Sequence, residues 1–243
     1  MEGIKICLFA DDTAILTQHH RPISVKIKLQ KYLLKYEKWL EKWKIQVNTD
    51  KSHAILFKMK RNPIIPELKL HNKTIAWTQE VQYLGVTLDR KLNYNTHCDN
   101  IIKNYWKKYF SIHHLLWKRS ALSIDNKLLI YKMILRPLLL YACSIWGCTT
   151  KRNIQQIQYV QNKTLRKIVG APKYFAIETL HKELNTTTIT EEIVNQAKKF
   201  YEKIATHSNP TIRGQGKYFR RSGRYPYPHQ SKDRKELIHI AVT

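Results

Sequence analysis

Two adjacent carboxylates, Asp11 and Asp12, separate the apolar runs Ile4–Phe9, broken only by Lys5, and Ala14–Leu16. Apolar run, short polar break, apolar run predicts a β-hairpin with the acids at its tip. Two carboxylates this close resist joint ionisation unless a cation lies between them. Mg²⁺ takes one or two carboxylates together with substrate phosphates, and a pair of such ions clamps the attacking and leaving oxygens of a phosphoryl transfer. A solvated turn or a helix N-cap also accounts for an Asp-Asp pair, since aspartate is common at both. The apolar flanks favour the rigid tip, because they bury the strands and leave the acids outside.

The elements that must hold this tip follow from periodicity. A 3.6-residue stripe of Val25, Leu29, Tyr32, Leu33, Tyr36, Leu40 and Trp43 predicts a helix from about Pro22 or Ser24 to Trp43. Ile45–Asn48 and Ala54–Phe57 read as short strands around the polar turn Thr49–Ser52. Leu68–Leu70 and Thr74–Trp77 predict a hairpin around His71-Asn72-Lys73, and Val81–Leu88 reads as a strand with Gly85 in its middle, where a bulge is common. From about Thr96 the pattern is helical. Leu128–Trp146 is apolar on most sides, with a kink or restart expected at Pro137. Ile154–Val169 ends at Gly170 and Pro172, which are stop signals. Helices over Phe175–Leu184 and Thr190–Ile204 follow, and Thr188 with Glu191 has the spacing of a capping box.

The balance of charge narrows the partners. Lys plus Arg number 43 and Asp plus Glu 18, a formal charge of +25 over 243 residues. Like charges in such excess repel one another in a compact chain unless a polyanion neutralises them, so nucleic acid is the leading expected partner and an anionic membrane face the second. With only 7 glycines and no GxGxxG or GxxxxGK[ST] pattern, a dinucleotide fold or P-loop finds no support. Cys7, Cys98, Cys143 and Cys148 form no CxxC pair, which fits a reducing compartment better than a zinc ribbon. The longest uncharged run of the greasiest stretch, Leu138–Cys148, is too short to span a bilayer, and the N-terminus has no cleavable signal pattern. The expectation is an intracellular protein of nucleus or cytoplasm with no membrane segment.

Beyond the aspartates, several segments together resemble a known family. Phe9-Ala10-Asp11-Asp12 resembles the [F/Y]xDD box of reverse transcriptases. Trp39–Asn48 followed by Lys51 resembles the helix, strand and lysine after that box. Tyr83-Leu84-Gly85 resembles the primer grip. Tyr131, Arg136-Pro137, Tyr141 and Trp146, then Gln161-Asn162-Lys163 with Leu165-Arg166, resemble the helices beyond it. The chain is similar, over about residues 4 to 205, to the C-terminal part of the reverse transcriptase of a jockey-type non-LTR retrotransposon.

The resemblance implies an α+β fold. Part of a polymerase palm (hairpin, helix and short strands) over 1–60 would lead to a primer-grip-like β segment over 61–92. A mainly helical thumb with further helices would fill 93–206, and 207–243 would be a basic, disordered tail, ordered at most near Leu237–Val242. It implies RNA-directed DNA polymerase chemistry with an RNA template and a DNA primer as partners. Asp11 and Asp12 would hold Mg²⁺. Lys51 would protonate the leaving pyrophosphate, its charge steadying developing negative charge. Tyr83, Leu84 and Gly85 would hold the primer end. Lys107 and Lys108, with Arg220, Arg221 and Arg224 in the tail, would meet phosphates. One departure carries weight. Reverse transcriptases have a further metal-binding aspartate in a strand far upstream of the paired acids, and ten residues precede Asp11 here. The chain therefore reads as a truncated or degenerate element, inactive alone and with Mg²⁺ held weakly or not at all. The alternatives are a non-catalytic basic module that binds nucleic acid and a relic with no selected role.

Overall fold

The computed structural model describes residues 3–57, 64–215 and 238–242. The first apolar run is strand β1 (Ile4–Phe9) and the second begins inside β2 (Asp12–Gln18). They pair antiparallel with Phe9 opposite Asp12, which leaves a two-residue loop of Ala10 and Asp11. Ala10 has φ 51°. A positive φ at the first loop position alone is the pattern of a type II′ turn, whose twist matches that of the strands it joins.

Helix α1 (Pro22–Trp43) starts with proline at its first turn, where a missing N–H costs nothing. It ends at Lys44, whose left-handed backbone returns its N–H to Leu40 and Glu41. Val25, Leu29 and Leu33 pack with Ile15, Ala54, Leu68, Leu70 and Ile75 into one buried cluster. A turn of 3₁₀ helix (Thr49–Lys51) then leads to β3 (His53–Leu56). The strand expected over Ile45–Asn48 is absent. Asn48 instead uses its side-chain oxygen to cap the N–H groups of Asp50 and Lys51, at 3.1 and 3.3 Å, a local bond that competes with a strand ladder.

Strands β4 (Leu68–Leu70) and β5 (Lys73–Ile75) form a hairpin closed by His71 and Asn72, both left-handed. Its free backbone is clamped by α1. Gln30 donates to the Lys69 carbonyl and accepts from the Lys69 N–H, both at 2.8 Å, and Glu37 accepts from the His71 N–H at 2.7 Å. The two-residue β6 (Trp77–Thr78) runs parallel to β3. The single strand expected over Val81–Leu88 is in fact a hairpin, β7 (Glu80–Tyr83) and β8 (Val86–Asp89). Leu84 and Gly85 make its turn, with φ 46° and 76°. Two consecutive left-handed residues are a type I′ turn, so Gly85 reverses the chain rather than bulging it.

The last strand, β9 (Ile238–Val242), comes from the far end of the sequence and lies inside the sheet, whose order is β1-β2-β9-β3-β6. It is antiparallel to both neighbours: Ala14 and His53 are level with Val242, Leu16 and Ile55 with Ile240. Strands β2 and β3 therefore run parallel, one strand apart. Together with Met1–Asn93, the segment Asp233–Thr243 forms the first of two compact units.

The second unit, Tyr94–Lys232, is helical where described. Its members are α2 (Asn95–Leu116), α3 (Ile124–Ile130), α4 (Arg136–Leu140), α5 (Cys143–Trp146), α6 (Lys151–Val169), α7 (Ile177–Glu183), α8 (Ile189–Ala205) and α9 (Pro210–Gln215). Between α3 and α4, Tyr131–Leu135 is a π-turn. Pro137 follows it and lacks the N–H that an α-helix would send back to Met133, so the widened turn is the local response to the kink expected there. Helix α6 stops at left-handed Gly170, and α8 starts with the capping box: Thr188 accepts from the Glu191 N–H at 3.2 Å while Glu191 accepts from the Thr188 N–H at 2.8 Å. Of the tail over 207–243, expected to be mostly disordered with a short ordered end at Leu237–Val242, the described residues form α9, where Pro210 suits a first helical turn, and β9, where the β-branched Ile238, Ile240 and Val242 suit a strand. Among the described residues, no helix is long and apolar enough to cross a membrane.

Candidate active site

Asp11 sits in the loop of the β1–β2 hairpin and Asp12 opens β2, both exposed. Exposed carboxylates at a strained two-residue turn are held by the ladder behind them: Ala14, Ile15 and Thr17 of β2 are buried, Ile15 wholly so. Tyr83, at the end of β7, lies within electrostatic reach. Its hydroxyl is pushed above the ordinary phenol range first by burial, then by the Cys7 thiol and the Asp12 carboxylate. Tyr83, for which a grip role is the expectation, thus feels the Asp12 charge of the hairpin, and Leu84 and Gly85 follow it as the adjoining turn.

Lys51 reaches the same end of the sheet by topology. Ala14 and His53 are level across β9, and Asp12 and Lys51 each precede one of them by two residues. Asp12, at the start of β2, and the 3₁₀ turn that carries Lys51, just before β3, therefore lie at the same end of the sheet. Lys51 is exposed, and among the described residues no ion pair joins it to either aspartate.

Two carboxylates supply hard oxygen ligands of the kind Mg²⁺ prefers. Among the described residues no group of three or more His, Cys, Asp or Glu side chains is placed to hold a metal. The pair by itself supplies part of a metal site. Two downstream acids have local duties: Asp89 accepts from the N–H groups of Lys91 and Asn93 at 2.9 and 3.1 Å, and Asp125 lies in the first turn of α3.

In the helical unit, Lys107 and Lys108 are exposed on α2. Beside them is a cluster that sequence reading did not assemble. Lys163 lies over the Trp106 ring at 5.2 Å and Lys167 over the Tyr109 ring at 5.4 Å. Trp106 also meets Tyr109 edge-on at 5.2 Å, and Phe110, 61% exposed, extends the aromatic surface. The signal was present as two cations four apart on the polar face of α6, but which aromatics they cover depends on how α2 and α6 pack. Arg220, Arg221 and Arg224 lie outside the described residues.

The other helical landmarks turn out to be packing and hydrogen-bonding residues. Tyr131 and Trp146 are fully buried, and the Trp146 indole donates to the Tyr141 carbonyl at 2.6 Å. Arg136 pairs with Glu192 at 3.0 Å. Gln161, also fully buried, donates to the Thr187 carbonyl at 2.9 Å, and Asn162 bonds His181 at 2.9 Å.

The chain is similar in sequence to known proteins over most of its length. Residues 1–88 match the family described as reverse transcriptase (RNA-dependent DNA polymerase). The chain is 34% identical over 215 residues to the RNA-directed DNA polymerase from mobile element jockey of Drosophila melanogaster, covering 88% of this chain and 23% of that protein. The counterpart of Drosophila funebris is 33% identical over 221 residues, covering 90% and 24%. A retrovirus-related Pol polyprotein from the type-1 retrotransposable element R1 2 of Nasonia vitripennis is 25% identical over 149 residues, covering 59% and 36%. The chain spans about a quarter of the length of the jockey polymerases it matches. No solved structure matches it significantly. With the aspartate hairpin and the Leu84-Gly85 turn inside the first match and the helical landmarks inside the longer ones, residues 1–88 carry the reverse transcriptase match and most of the chain is similar to the RNA-directed DNA polymerases of jockey-type non-LTR elements.

Proposed function

We propose that the chain is a palm-and-thumb segment of an RNA-directed DNA polymerase, acting in nucleotidyl transfer as part of a larger catalytic body. The observation that carries this reading is the convergence on one sheet end of the Asp11–Asp12 tip, Tyr83 and the line of Lys51. In this reading Asp11 and Asp12 face the metal ions and Lys51 supplies a proton and a positive charge to the departing phosphates. Tyr83, Leu84 and Gly85 hold the primer end. Asp11 and Asp12 would hold Mg²⁺ together with ligands from the rest of the catalytic body, and such ions would supply activation of a hydroxyl and charge neutralisation at a leaving group. The chain holds two carboxylates of the set and on its own does not catalyse.

The test has two arms. Purified alone with Mg²⁺, nucleotides and a primed RNA template, the chain gives no extension; template-dependent extension abolished by Asp11→Ala would overturn that part. Grafted over the matching segment of a jockey polymerase, it supports extension, and Asp11→Asn in the graft reduces extension at least ~1,000-fold, the scale of a lost electrostatic element at a reacting centre. A graft whose activity is indifferent to Asp11 refutes the assignment.

A second reading is favoured by the cluster on α2 and α6. Lys107, Lys108, Lys163 and Lys167 beside Trp106 and Phe110 combine phosphate-seeking cations with rings that stack on bases. That surface binds nucleic acid without sequence choice whether or not the aspartates work. Ala at both Lys163 and Lys167 weakens binding to a fluorescent duplex in low salt; unchanged binding removes this surface from the reading.

A further inference from the structure

In the helical unit a run of side-chain amides on α6 leads from the start of α8 to α7, and the orientation of each member follows from its neighbour. The Ile189 N–H can only donate, so the Gln158 atom 2.8 Å from it is the amide oxygen. The other end of that amide is then its NH₂ group, which stands 2.7 Å from Gln161 and 2.7 Å from Asn162. Two donors at that distance repel, so both contacts are to side-chain oxygens. Gln161 agrees independently, because it is fully buried and its own NH₂ donates to the Thr187 carbonyl at 2.9 Å.

The run ends on His181 of α7. Its Nε2 is 2.9 Å from the Asn162 oxygen, and its Nδ1 is 2.7 Å from the Thr186 carbonyl. A neutral imidazole has one N–H and one lone pair, so it satisfies one of these oxygens and repels the other. An imidazolium donates to both. Thr186 is buried, and its N–H returns to the His181 carbonyl at 3.0 Å, so the residue that takes the second bond is itself tied to α7.

The charges around the ring are accounted for element by element. From α6 it meets the neutral amides of Gln158 and Asn162, while Arg166, one turn farther on, donates to the Pro172 carbonyl at 2.7 Å. From α8 it meets an opposite charge. The Glu191 carboxyl is held below the ordinary range first by the Thr188 backbone N–H, then by the Thr188 side chain, and also by the charge of His181. Glu192 is taken by Arg136 at 3.0 Å. On α7 itself, Glu178 and Lys182 are exposed neighbours of opposite sign. Lys132, from the π-turn, donates to the Asn185 carbonyl at 3.3 Å.

We propose that His181 is a charged brace: its imidazolium, donating from both nitrogens, ties α7 and the turn over 184–188 to α6, and loss of one proton as pH rises loosens that part of the helical unit. The sign is that of a group whose charged form the fold favours, so the hold is complete on the acid side and is lost toward alkali. That is opposite to His97, whose burial favours the neutral ring. The brace lies wholly within the helical unit and is independent of the polymerase reading.

Two measurements on the full chain test it. Long-range proton–nitrogen NMR of protein labelled with nitrogen-15 histidine reads both ring nitrogens, and His181→Gln identifies the signals. At about pH 7 the two His181 nitrogens give the matched shifts of an imidazolium, and they separate toward alkali. Separated shifts at that pH, the pattern of a neutral ring, overturn the proposal. The second measurement is amide hydrogen exchange by mass spectrometry, corrected for the intrinsic effect of pH on exchange. Between about pH 6 and about pH 9 the amides of residues 180–188 lose protection roughly tenfold relative to those of α2, and Asn162→Asp, which sets a carboxylate beside the ring, moves the loss to higher pH. Protection that changes equally in the two regions, or a loss that Asn162→Asp does not move, refutes the brace.

Discussion

Tyr83 is where the chemistry of the hairpin tip is easiest to read in solution. Burial raises its hydroxyl first, with Cys7 and Asp12 adding to it. Removing the Asp12 charge with Asp12→Asn therefore lowers the Tyr83 pKa while leaving it above the ordinary value, and NMR titration of ring-labelled tyrosine reads the difference. Cys7 is the exposed thiol of the four, whereas burial pushes Cys98 up to about 12 and Cys143 and Cys148 up to about 11. Thiolate is the reactive form, so one equivalent of a thiol reagent reacts rapidly with native protein, and Cys7→Ser abolishes that phase. His97 is buried against Trp146, with ring centres 5.8 Å apart, and desolvation lowers its pKa to about 4. Its folded pKa lies below its unfolded value, so its contribution is complete above about pH 6.5 and is lost as pH falls toward 4, up to ~3 kcal/mol. Urea midpoints across that window fall for the unaltered chain and fall less for His97→Gln.

At the scale of elements, the helices were the legible part. The stripe of Val25, Leu29 and Leu33 and the Thr188–Glu191 spacing are local patterns, and local patterns survive into the structure because the residues that interact are neighbours on one helix. Thr188→Ala removes half of that capping box and lowers stability by about 1 kcal/mol in a urea titration. Strand boundaries were less legible. Leu84-Gly85 looked like the middle of a strand because its flanks are apolar on both sides, whereas the turn is set by two left-handed backbones. Gly147 escaped notice for a different reason. A Cβ there would stand 2.5 Å from the Cys143 carbonyl oxygen and 2.5 Å from Ile193 Cγ2, a close approach of α5 to α8 that no single helix reveals. Gly147→Ala lowers the urea midpoint by the equivalent of about 1–3 kcal/mol, as overpacking does.

For the whole molecule, the charge of +25 was visible in the composition and the sheet order was not. The site residues Asp11, Asp12 and Tyr83 came from motif spacing. That Lys51 shares their end of the sheet depends on a strand more than 180 residues away, which periodicity does not encode. The charge makes a further prediction. Binding to duplex DNA weakens with salt by about 0.9 log units per log unit of salt for each phosphate met. Replacing Arg220, Arg221 and Arg224 together by alanine therefore reduces the slope by roughly 2–3 if all three meet phosphates, as a salt titration with a fluorescent duplex reads out. An unchanged slope removes the three arginines from the interface.

The remote strand also imposes an order in time on a ribosome-bound chain. β2 and β3 are made well before β9, the strand that pairs with both of them in the structure and ends 186 residues after Leu56. At 5–20 residues per second that interval is about 10–40 s. During it, the first unit carries two open strand edges of the kind that template pairing between chains, while the helical unit, built from contacts nearer in sequence, is free to fold. The hazard of aggregation therefore falls in the interval between the making of β3 and the making of β9.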